Sequence, residues 1–71
     1  PMNDLMTADE LADLIEEKEI AVDLNREDAR DANAAGDLDT AAELMELVIE
    51  TRRQIRFMRE ALDHMRQTER S

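Results

Sequence analysis

Glu60 and His64 have the spacing best suited to chemistry. An ExxxH pair at i and i+4 sets a carboxylate and the chain's one imidazole on the same side of a helix, where they could offer two ligands to a metal. Two ligands leave a site open. The tighter Glu-x-x-His pair of ferritin-like centres is absent, because Ala61-Leu62-Asp63 separates the two residues. Cysteine is missing, which removes disulfides and thiolate ligands. Neither a Ser/His/Asp nor a Cys/His set can be assembled, and no glycine-rich phosphate loop is present. The expectation is therefore a protein that is not an enzyme, with no catalytic residues, no cofactor and no metal.

Charge supplies a second kind of chemistry. The chain holds 19 acidic and 9 basic residues, a net of −10. Residues 1–39 carry 13 acids and 3 bases, which is the whole of that net, while residues 40–71 balance at 6 of each. Asp9, Asp13, Glu16, Glu27 and Asp31, edged by Glu19 and Asp23, form an acidic run in the first half. A solvated face normally mixes signs, so Asp13, Glu16, Glu27 and Asp31 are candidates for binding a basic partner. One form of that reading is a nucleic-acid mimic that blocks a DNA- or RNA-binding protein. Arg52, Arg53, Arg56 and Arg59 could instead touch nucleic acid. With one aromatic residue, Phe57, and a repelling overall field, direct nucleic-acid binding is not expected.

The elements that carry these groups are helices. One glycine, one proline and a chain dominated by Ala, Leu, Met, Glu, Asp and Arg leave little material for strands. From Thr40 onward, Leu44, Val48, Thr51, Ile55, Met58, Leu62 and Met65 recur at spacings of four and three, the seam of a coiled-coil-like pair. Leu11, Leu14, Ile15, Lys18, Val22, Asn25, Ala29 and Ala32 form the matching stripe upstream. Thr7-Ala8-Asp9-Glu10 and Thr40-Ala41-Ala42-Glu43 both have the form of capping boxes, and Gly36 suits a left-handed C-terminal cap. The sequence predicts one domain over 1–71: helix 1 from about 8 to 35, a turn at 36–39 and helix 2 from about 40 to 67. That is an all-α antiparallel helical hairpin. No apolar run reaches the roughly 18 residues of a membrane span and no signal-peptide pattern is present, so a cytoplasmic protein without membrane contact is expected.

With the turn centred near residue 38, Asn25 falls opposite Thr51. They would either make a matched polar layer or meet water at the seam's edge. Glu16, Glu19 and Asp23 would face Arg52, Arg56 and Arg59. Two helices of this size seldom bury enough to fold alone, and apolar residues remain outside the seam. Ile20, Leu24, Phe57 and Ala61 are assigned to a homodimer interface that closes a four-helix bundle. Met45 and Ile49, beside Ala42, are assigned to a different partner. The function expected is a small acidic protein–protein interaction module: an adaptor, assembly factor or inhibitor of a larger protein, of the kind found among phage and mobile-element accessory proteins. The alternative is the nucleic-acid mimic, and the third reading is a structural subunit of a larger assembly.

Overall fold

The first helix begins where a threonine and a glutamate satisfy each other's backbone. In the computed structural model, which describes residues 6–70, Thr7 Oγ1 accepts from the Glu10 N–H at 3.1 Å. The Thr7 N–H donates to Glu10 Oε1 at 3.4 Å, which completes the capping box. α1 then runs over Ala8–Ala34, and α2 over Leu38–Arg70. The chain is all-helical, and the two helices pack against each other as an antiparallel hairpin.

The turn is tighter than the sequence predicts. Gly36, at φ +82°, takes the left-handed conformation that costs an L side chain about 1 kcal/mol or more. Its N–H donates to Asn33 O at 3.1 Å, and the Asp37 N–H donates to Ala32 O at 2.9 Å. These two bonds make a Schellman cap. Asp37 then closes the other side: its Oδ1 accepts from the Thr40 N–H at 3.2 Å, and its carbonyl accepts from the Ala41 N–H at 3.1 Å. So Asp37, and not Thr40, is the N-cap of α2. Helix 2 therefore starts at Leu38 rather than about 40, and the expected Thr40–Glu43 capping box is not formed. An aspartate already fixed in place by the end of α1 wins over a threonine three residues later. At its far end α2 continues three residues beyond the expected 67.

The seam is the one the spacing predicts. Val48, Ile55 and Leu62 are buried on α2, with Leu44, Thr51, Met58 and Met65 half-buried between them. On α1, Ala8, Leu11, Ile15, Val22 and Ala29 are buried, and Leu14, Lys18, Asn25 and Ala32 are half-buried. Val48, at 1% exposure, is the most deeply enclosed large side chain.

Moving the turn towards residue 36 also moves the register. Helix ends at 34 and 38 put residues level when their numbers add to about 72. Asn25 is then level with Val48, and Thr51 with Val22; both polar side chains are half-buried and no hydrogen bond joins them. Lys18 Nζ donates across the seam to Gln54 Oε1 at 3.2 Å, in keeping with this register. Arg59 reaches Glu19 at 2.6 Å from a higher-numbered position. That offset follows from helix geometry: side chains lean towards the N-terminus of their own helix, so in an antiparallel pair the tips meet between residues that are not level.

The result is a slab 53 × 24 × 14 Å, two helices wide and one helix thick. Its exposed surface is 5868 Å². A compact protein of 8.2 kDa would show about 4,500 Å². Both broad faces of the slab are open.

Candidate interaction surfaces

The seam residues divide the slab into two faces, each named here by the polar contact that crosses it. On the first, Arg59 pairs with Glu19. Among the described residues this is the ion pair that joins the helices, and both side chains remain about half exposed. Glu16 and Asp23 do not pair with Arg52 or Arg56 as expected. These are long, solvated side chains whose tips stay in water, where a pairing contributes at most about 1 kcal/mol.

Two grooves lie along this face. The larger, about 770 Å³, has Val22 and Ile55 at its floor and Glu19, Asp23, Arg52 and Arg56 among its walls. Arg26 borders both grooves. The smaller, about 400 Å³, lies at the turn end between Arg26, Arg30 and Asn33 of α1 and Leu38, Ala42 and Met45 of α2. Leu38, Ala42, Met45 and Ile49 follow one another at helical spacing, so Met45 and Ile49 belong to a stripe that begins at the first residue of α2. Leu38 is 64% exposed. Reading it as a turn residue hid it, although its spacing to Ala42 and Met45 was a usable signal.

The opposite face is crossed by the Lys18–Gln54 hydrogen bond. Helical spacing places Leu14, Ala21 and Leu24 of α1 on this side, with Leu47, Phe57 and Ala61 of α2. Phe57 is 68% exposed, the most exposed of the large apolar side chains. Leu24, Phe57 and Ala61 of the expected dimer patch thus share a face, with Lys18 and Gln54 between them. Ile20 does not join them. Leu24 and Phe57 stand two residues after buried Val22 and Ile55, at the outer margin of this side, whereas Ile20, two residues before Val22, is turned round the helix in the opposite sense, towards the outer margin of the grooved side.

The acidic residues are spread wider than a ridge. Asp13 and Glu27 stand opposite the seam, Glu16 turns towards the grooved face, and Asp31 turns towards the other. All four are exposed. The carboxyl with a displaced titration is a capping one. The Thr40 hydroxyl, and then its backbone N–H, hold Asp37 below the usual aspartate range. His64 is exposed, and its carbonyl accepts from Thr68 Oγ1 at 2.9 Å. Among the described residues no three His, Asp or Glu side chains are placed to hold a metal ion. No described helix is long and apolar enough to cross a membrane.

Comparison with protein-family models, with curated proteins and with solved structures finds no match for this chain. Its function is therefore argued from these surfaces.

Proposed function

We propose that the chain is a protein–protein interaction module whose own dimer is a four-helix bundle, and that it serves as an adaptor, assembly factor or inhibitor of a larger protein. The observation that carries this reading is the single-layer core. A slab 14 Å thick leaves every residue outside the seam open to water, and Leu24, Leu47 and Phe57 are large apolar groups among them. A broad face of 53 × 24 Å offers at most about 1,270 Å². A standard interface takes about 800 Å² from each partner, so one face is large enough for a stable dimer.

The face with Leu24, Phe57 and Ala61 is the better one for self-association. A two-fold axis through it pairs like with like, and apolar residues tolerate that where charges do not. Covering Phe57 and Leu24 turns two seams into one core, the packing of a four-helix bundle.

Leu24→Glu combined with Phe57→Glu tests the reading. The expected result is a monomer by light scattering that keeps its helical circular dichroism when concentrated. A wild-type chain that is already monomeric, or a double variant that still dimerises, would count against this interface.

A further inference from the structure

The grooved face carries a charge arrangement that the hairpin does not use. Glu19 and Arg59 define a relation across the seam. One heptad nearer the turn on each helix, that same relation joins Arg26 and Arg52. Arg26 and Arg52, which both line the larger groove, therefore occupy the positions where the fold, one heptad away, sets a carboxylate against an arginine. Arg30, Arg53 and Arg56 line the same two grooves, and the larger of the two also carries four carboxylates in its walls. Among the described residues none of these five arginines has a carboxylate within ion-pair distance inside the chain. In a protein with 19 acids and 9 bases, the turn-end groove is lined by two arginines and no carboxylate. Beside the arginines runs the apolar stripe Leu38, Ala42, Met45 and Ile49.

Chain-wide electrostatics make this concentration informative. An isolated like-charge pair across a seam opposes folding unless something anionic sits over it. The stripe spans twelve residues, about 17 Å of helix, or three turns. A third helix laid into the furrow beside it would find apolar pockets at i, i+3 or i+4, and i+7, with guanidinium groups along one edge. Arginine suits that edge, because its planar fork takes a carboxylate in two parallel hydrogen bonds. Methionine at the centre of the stripe adapts to different apolar side chains.

We propose that this face is the docking site for an acidic amphipathic helix of a partner protein. Its apolar residues would lie on Leu38, Met45 and Ile49, and its carboxylates on Arg26, Arg30 and Arg52. The proposal deepens the interaction-module reading and reverses the sign expected of the partner, since the turn-end groove carries arginines and no carboxylate where the chain as a whole is acidic. It uses the opposite face from the dimer, so the two can fail separately.

The test uses the full chain and a fluorescently labelled, capped helical peptide with leucines at three- and four-residue spacing and glutamates between them. A second peptide carries lysine in place of each glutamate, and anisotropy reads the binding. The glutamate peptide is expected to bind and the lysine peptide not to. Arg26→Glu with Arg52→Glu should weaken binding at least tenfold while helicity is unchanged, and Met45→Glu should do the same without altering charge on the arginines. Leu24→Glu with Phe57→Glu should leave peptide binding intact whatever it does to the dimer. The proposal is overturned if the glutamate peptide does not bind, if the arginine variant binds it equally well, or if generic duplex DNA displaces it. It is overturned too if Arg26→Glu with Arg52→Glu turns a wild-type dimer into a monomer, which would assign the groove to a second copy of the chain.

Discussion

Val48 and Ile49 are neighbours in sequence and about 100° apart around α2, and the account assigns them opposite roles. Val48 is 1% exposed in the seam, while Ile49 is 56% exposed on the grooved face. Val48→Ala removes two carbons from an enclosed site at about 0.8 kcal/mol each, with a further contribution from the space left behind. The expected loss is about 2 kcal/mol. For a domain of this size that lowers the midpoint of thermal unfolding by roughly 8–16 °C. Ile49→Ala removes three carbons that are mostly in water already, and places the best helix former mid-helix. Its expected effect is within about 0.5 kcal/mol. Far-UV circular dichroism during heating and during urea titration measures both. All samples must share one protein concentration, because subunit association feeds into apparent stability. If Ile49→Ala costs as much as Val48→Ala, α2 is rotated from the orientation described, and the division into seam and open face is wrong.

Three further predictions concern the turn and the ion pair. Gly36→Ala should destabilise the hairpin by about 1 kcal/mol. The cause is backbone strain at φ +82° and not collision, since a Cβ there would meet nothing within 4 Å. Gly36→Asn should cost less, and urea midpoints of the two variants give the comparison. Asp37 stabilises the folded state as a carboxylate, because its folded pKa lies below its unfolded one. That contribution is full above the unfolded value and is lost as pH falls through the folded value. The Thr40 amide proton should titrate with a midpoint below the ordinary aspartate range, and Asp37→Asn should keep the cap while abolishing that titration; a midpoint at or above the range would contradict the bond. For Glu19 and Arg59, a double-mutant cycle should return about 0.2–1 kcal/mol at low salt and less at high salt, as the exposure of both side chains requires.

The seam was legible because it rests on a repeat. A spacing of four and three sustained over seven positions of α2 overdetermines which side is covered, and one residue out of place would not change the reading. The turn rests on single residues, and there the local signals conflict. Thr-Ala-x-Glu occurs at 7–10 and at 40–43, yet Thr7 is an N-cap and Thr40 is the third residue of a helix. What separates them is Asp37, held by the Schellman bonds of the preceding helix. That dependence on α1 is invisible when α2 is read alone. The misplaced turn carried the register with it. It also concealed Leu38, which belongs to the Met45–Ile49 stripe.

The surfaces were legible only as composition. Arg26 and Arg30 look unremarkable among the acids of α1, and the arginines of α2 look like their counterions. Pairing depends on which tips meet after the side chains lean along their helices. That lean gives Arg59 to Glu19, and one heptad nearer the turn Arg52 and Arg26 stand in the same relation and line one groove. Ile20 is as exposed as Leu24 but is turned round α1 in the opposite sense from it.

Multi-angle light scattering on the wild-type chain, from micromolar concentration upward, tests the central claim most directly. A single species of about 16 kDa, twice the 8.2 kDa of the chain, is expected across that range. A mass of 8.2 kDa at every concentration, with helical content intact, would contradict it.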